Sequence, residues 1–233
     1  MIAFGSPLSI ASMSSSNVAA GLQVEQLTNG GAGTESVPIT ETTTASISVT
    51  AGALIEIDIH TYPGTAPDAI AFTITGLGLT FAEEHSVASS TYDQTVKYRA
   101  EVPSDASGTL TITADASVSY IVYAVKQWTG QVQGNNGADA FIQTSGARNT
   151  NSTTLSALAS ESNMVSATFV GTYFPAQAGT VDGDLTELAA FSYIPDVDYR
   201  MVTATGPDDS PYSITWDNTP YQWAVMASEI AAA

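Results

Sequence analysis

Cysteine is absent from the 233 residues. That excludes disulfides, thiolate nucleophiles, iron–sulfur clusters and cysteine-based zinc sites. Histidine occurs twice, as His60 and His85, so a Ser-His-Asp site or a His-ligated metal would have to be built around one of them. Positive charge is scarce: 5 Lys and Arg stand against 23 Asp and Glu, a formal net charge of −18. Charged residues make up 12% of the chain, against roughly 25% in an average soluble domain. The imbalance therefore comes from missing cations rather than surplus acids. It argues against a nucleic-acid partner, because phosphates demand clustered Lys and Arg, and against docking on an anionic membrane surface. No apolar run approaches the ~18 residues of a membrane-spanning helix. The opening MIAFGSPLSIASMSSSNVAA places no Lys or Arg ahead of its apolar residues, so it does not read as a secretory signal. Synthesis in the cytoplasm without a signal peptide is the expectation.

Apolar residues, 44% of the chain, suffice for a core. Residues 1–40 are rich in Ser, Ala, Gly, Thr and Asn, with turn clusters such as Asn29-Gly30-Gly31. They read as an N-terminal extended arm or linker preceding a domain over residues 41–233. From Ala45 onward the hydrophobic period is two. Ile55, Ile57 and Ile59 alternate with Glu56, Asp58 and His60, and Val96, Tyr98 and Ala100 alternate with Lys97, Arg99 and Glu101. Such alternation puts one face on a core and one in water. The run VSYIVYAV at 118–125 is apolar on both faces and predicts a central strand. Pro and Gly punctuate the runs, and no stretch holds a 3.6 period. The pattern predicts an all-β, antiparallel β-sandwich, jelly-roll-like, of roughly ten to fourteen strands.

An internal repeat supports two similar halves, approximately 51–130 and 155–233. Val96-Lys97-Tyr98-Arg99-Ala100 matches Val197-Asp198-Tyr199-Arg200-Met201; Thr111-Ile112-Thr113 matches Ser213-Ile214-Thr215; Tyr123-Ala124-Val125 matches Trp223-Ala224-Val225. The period suits two small sandwiches or two Greek-key halves of one. The short link between the halves favours one sandwich, with Tyr98 and Tyr199 on equivalent strands and both facing the core.

Acid pairs stand at Glu83-Glu84, Asp182-Gly183-Asp184, Asp196-Val197-Asp198 and Asp208-Asp209. Glycoside hydrolysis would need two carboxylates roughly 5–10 Å apart with one pKa raised, and adjacency alone does not supply that. Calcium suits them better, because hard cations take several loop oxygens. Asp182, Asp184, Asp208 and Asp209 are the weak calcium candidates, and no resident cofactor or catalytic residue is expected. His60 points the way of Glu56 and Asp58 and reads as a surface histidine beside two acids. Arg99 and Arg200 read as solvent-face ion pairs. Tyr62, Tyr92, Trp128, Tyr173, Tyr212 and Trp216 are the expected exposed aromatics; they could stack on a host surface glycan or pack at a subunit contact.

Four segments carry a family resemblance: Gly52-Ala53-Leu54-Ile55-Glu56-Ile57, Gly76-Leu77-Gly78-Leu79-Thr80-Phe81, Gly108-Thr109-Leu110-Thr111-Ile112-Thr113 and Trp223-Ala224-Val225-Met226-Ala227-Ser228-Glu229-Ile230. With them, residues 51–233 resemble β-sandwich virion structural proteins of tailed bacteriophages and archaeal viruses. The resemblance implies a capsid shell, decoration, turret or tail component that forms homo-oligomers and contacts other virion proteins. It transfers no catalytic residue. Few Lys with abundant Ala, Thr and acids also resembles proteins of saline habitats. The expectation is a non-enzymatic virion protein, with a carbohydrate-binding adhesin as the alternative.

Overall fold

The computed structural model describes residues 21–34, 37–62, 70–88, 93–173, 179–193, 198–207, 211–216 and 222–233. The first half contributes β1 (Gln23–Gly33), β2 (Ile39–Thr43), β3 (Ile47–Val49), β4 (Leu54–Tyr62), β5 (Phe72–Thr75), β6 (Ala82–Ala88), β7 (Gln94–Glu101), β8 (Ala106–Gly108), β9 (Thr111–Val118) and β10 (Tyr120–Thr129). A short 3₁₀ segment, Asn135–Ala140, leads to the second half. There follow β11 (Phe141–Arg148), β12 (Ser152–Thr153), β13 (Met164–Tyr173), β14 (Gly179–Val181), β15 (Thr186–Tyr193), β16 (Asp198–Gly206), β17 (Tyr212–Trp216) and β18 (Gln222–Ile230). The chain is an all-β antiparallel sandwich protein of two similar halves.

Each half has a five-stranded sheet, in the orders β1-β10-β4-β7-β6 and β11-β18-β13-β16-β15. Smaller sheets, β2-β9-β5 with the β3-β8 pair and then β12-β17-β14, complete the two halves. Ile55, Ile57 and Ile59 meet Ile74, Ile112 and Tyr123 in one core, and Val165, Ala167 and Phe169 meet Tyr212, Ile214 and Val225 in another. Each half thus closes its own small sandwich, where the length of the link favoured one shared sandwich. Large and small residues exchange places between the halves. Phe72 lies across from Ala114, and Gly179 across from Trp216. A Cβ on Gly179 would come within 2.5 Å of that indole.

The large sheets stack through their other faces. Tyr120, Val122, Ala124, Val170 and Met201 form one inter-half cluster; Leu54, Trp128 and Ile230 belong to a second at the sheet corner. Edge strand β1 lies against β15, and β6 against β11. This order places β4 over β13 near a pseudo-two-fold axis.

Two expectations are corrected here. The arm does not extend to residue 40. β1 pairs with β10 from Gln23 opposite Thr129 to Gly33 opposite Tyr120, and β2 pairs with β9. Sparse apolar residues suffice there because an edge strand covers an existing sheet and needs no core of its own. Residues 1–20 lie outside the described set. The repeat is also displaced by its strand bulges. Ile112 and Ile214 occupy matching core positions on β9 and β17. On β7 and β16, however, Tyr98 lies opposite Glu83 and Ala204 opposite Glu187, each just before a bulge. The structural offset is therefore 106 (204 less 98), not 101. Tyr98 is buried with its hydroxyl on the Phe72 backbone; Tyr199 shares the matching strand at another rung, and its side chain is outside what is described.

Candidate functional site

The protein contains two lysines, Lys97 and Lys126. Both are fully buried between the halves, with Glu56 and Asp58. Register assembles the four. Glu56 on β4 lies directly across from Lys126 on β10, and Asp58 lies across from Lys97 on β7. Opposite charges at facing positions are a favourable cross-strand pair, here sealed by the second half. The Lys126 ammonium sits 2.9 Å from Glu56 Oε1 and 2.7 Å from Asp58 Oδ2. Lys97 Nζ donates to Glu56 and lies 3.6 Å from Asp58 Oδ1. The second half contributes hydroxyls. Ser166 Oγ donates to Glu56 Oε1 at 2.7 Å and accepts from Lys126 at 2.7 Å, and Thr168 Oγ1 donates to Asp58 Oδ2 at 2.7 Å. Trp128 Nε1 donates to Glu56 Oε2 at 2.8 Å.

Burying one ion in a dry interior costs several kcal/mol unless its partners are in place. Here two positive and two negative charges cancel. Burial by itself would raise the Glu56 pKa; the ammonium groups of Lys126 and Lys97 outweigh it and hold the carboxyl well below the usual range. Burial would lower the Lys126 pKa, and Asp58 and Glu56 push it up instead. Both groups stay charged at neutral pH. The arrangement is a polar lock whose components come from both halves. Gln26 on β1 extends it by accepting from Thr203 Oγ1 at 2.9 Å.

Beside the lock, His60 Nδ1 lies 2.9 Å from Thr95 Oγ1, and Arg148 of β11 forms an ion pair with buried Asp93. Burial, then the Arg148 charge, pushes the His60 pKa down to about 3, against a smaller opposing effect of a hydrogen bond with the Gln94 backbone. His60 is therefore a buried neutral histidine and not the expected surface one, because the second half covers its face. The unfolded chain takes up a proton near pH 6.5 that the folded chain refuses. Stability should accordingly fall with pH between 6.5 and about 3, by up to ~1.4 kcal/mol per pH unit. Half-buried His85, also lowered by burial and Lys97, acts in the same direction. Urea midpoints at pH 7 and pH 5 check this, and His60→Phe should flatten the decline.

The other sequence candidates fall elsewhere. Asp182, at the end of β14, accepts from Ser213 Oγ and Thr215 Oγ1, both at 2.9 Å, and Asp184 is exposed. Asp196, Asp208 and Asp209 lie outside the described residues, which hold no group of three or more His, Asp or Glu able to bind a metal. Of the Glu83-Glu84 pair, Glu84 forms an ion pair with Arg99 at 2.6 Å. Arg99 thus has its expected carboxylate, though on a largely covered edge. It also donates to the Asn136 carbonyl at 2.8 Å, which ties down the inter-half segment. Trp128 and Tyr212 are fully buried instead of exposed, and Tyr62 stacks on Tyr120 with centroids 5.9 Å apart. Tyr92 lies outside the described residues, as does the Tyr173 side chain. An open groove of ≈ 410 Å³ at one end of the first half is lined by Leu79, Thr80, Glu101, Pro103, Gln133 and Asn136, among others. Its rim is held by Asn136, in left-handed conformation at φ 55, whose amide donates to the Thr80 carbonyl at 2.7 Å.

Sequence reasoning missed the lock because alternation assigned Glu56, Asp58 and Lys97 to water, and Lys126 ended an apolar run. The available signal was the pairing itself: acids two apart on one strand, with lysines on both flanking strands. No protein-family model, curated protein or solved structure matches this chain.

Proposed function

We propose that this chain is a non-enzymatic structural protein, a virion component such as a capsid shell, decoration, turret or tail subunit, that works by self-association and contacts with other virion proteins. The observation that carries the reading is the lock. Two sandwiches are joined through charges sealed on both sides, giving a block suited to bearing symmetric contacts. Both lysines are used inside it, so the outer surface carries the acidic excess. That surface suits a saline setting in which counter-ions screen neighbouring subunits.

Screening supplies the test. The Debye length falls from about 30 Å at 0.01 M salt to about 3 Å at 1 M, and like-charged subunits repel less. Sedimentation velocity across this range should show the oligomer fraction rising with NaCl, with the melting temperature rising alongside. A flat or falling response counts against the proposal.

The groove beside Asn136 favours a second reading, a carbohydrate-binding adhesin. Its size suits a small saccharide, with Leu79 and Pro103 offering an apolar shelf and Glu101 an acceptor. A glycan array separates the two readings. A protein that stays monomeric at high salt and binds a sugar at millimolar affinity or better belongs to the second.

A further inference from the structure

The charges of the first half have counterparts in the second. Glu56 faces Lys126 across the β4–β10 ladder, and at the matching rung of β13–β18 Ser166 faces Ser228. Asp58 faces Lys97 across β4–β7, and at the matching rung of β13–β16 Thr168 faces Thr203. The offsets agree within each strand: 110 from Glu56 to Ser166 and from Asp58 to Thr168, and 106 from Lys97 to Thr203, the value set independently by the bulges. All eight side chains are fully buried. One half therefore presents four charges, and the other presents four hydroxyls at the same places on the same stacked face.

We infer that this face is a partner-selecting surface: an isologous pairing of like sandwiches, made one-way by four charges that accept a hydroxyl-bearing copy of the same sheet and refuse a copy of themselves. Under the pseudo-two-fold relation, a second first-half sheet would bring Glu56 and Asp58 to the places of Ser166 and Thr168. Those places lie 2.7 Å from Glu56 Oε1 and Asp58 Oδ2. The copy would bring its own Lys97 and Lys126 as well, to the places of Thr203 and Ser228, so the charges would still cancel. The refusal comes from Glu56 and Asp58 each meeting its own copy, carboxylate against carboxylate, in a sealed space that now holds a hydroxyl of shorter reach. Hydroxyls both donate and accept, so Ser166 serves a carboxylate and an ammonium at once. The surface thus directs each first half onto a second half, and self-association must use outer faces and edges. This inference rests on register and burial alone and stands whether or not the chain is a virion protein.

The test moves the acids across the interface in the full chain. Ser166→Glu with Thr168→Asp confronts the first half's acids with a copy of those acids, without the lysines that would accompany them, and the melting temperature should fall by roughly 10 °C or more. Glu56→Ser with Asp58→Thr strands two buried lysines and should do comparable damage. All four substitutions together restore two acids and two lysines in one cluster. That variant should recover to within a few degrees of the parent and elute as the parent does. If the variant carrying Ser166→Glu and Thr168→Asp alone melts within a few degrees of the parent, the refusal is overturned. A four-fold variant no more stable than the weaker of its two components, or one that does not fold, overturns the matching of the faces.

Discussion

Lys126→Met should lower the melting temperature by roughly 6–20 °C. The substitution retains length and apolar stem but removes one of two cations from a sealed cluster that holds two carboxylates. Asp58 loses its ammonium contact at 2.7 Å, and Glu56 loses the one at 2.9 Å. Lys97 then faces both acids alone, and one negative charge is buried without a counter-charge. Breaking a buried ion pair by removing one partner costs about 3–5 kcal/mol, and each kcal/mol moves the midpoint of a protein this size by roughly 2–4 °C. Removing the pair together should be milder. Glu56→Met with Lys126→Met leaves Asp58 and Lys97 as a neutral pair, so the double variant should melt above Lys126→Met despite orphaning the Trp128 and Ser166 donors. Thermal melts of the single and double variants decide this.

Deleting residues 1–33 should abolish the cooperative transition. This deletion removes β1, which covers the outer edge of β10 from Tyr120 to Thr129. It also removes buried Leu22 and the Gln26 side chain, which donates to the Val125 carbonyl at 2.9 Å and accepts from Thr203 in the other half. Gln26 lies directly opposite Lys126, so the exposed edge would open beside the charge cluster. A newly bare edge strand also invites aggregation. A chain beginning at Gly21 keeps every described contact and is the control. Circular dichroism melts should show an intact transition for the control and a lost or broadened one for the longer deletion.

The strands were legible because alternation is a local property. Ile55, Ile57 and Ile59 reveal β4 without knowledge of any other strand, and Ile112 and Ile214 reveal matching strands through a short shared motif. What alternation cannot convey is the medium against which the polar face rests. Glu56, Asp58 and His60 look like a water-facing row until a second sheet covers them, and that sheet lies 110 residues further along the chain. The arm was misjudged for a related reason. Apolar density measures whether a segment can build a core, and β1 only has to complete one. Tyr98 and Tyr199 were paired by matching letters, whereas the register there is set by bulges after Glu83 and Glu187 that the letters do not mark.

The claim that both lysines lie sealed between the halves has a direct chemical test. The native protein can be treated with an amine-reactive N-hydroxysuccinimide ester at neutral pH and digested, and the extent of modification at Lys97 and Lys126 read by mass spectrometry. Both ε-amines are fully buried, and the pKa of Lys126 is raised by its acids, so each should remain unmodified until denaturant is added and then react. Modification of either lysine in the native protein at the rate of an exposed amine would contradict the buried lock.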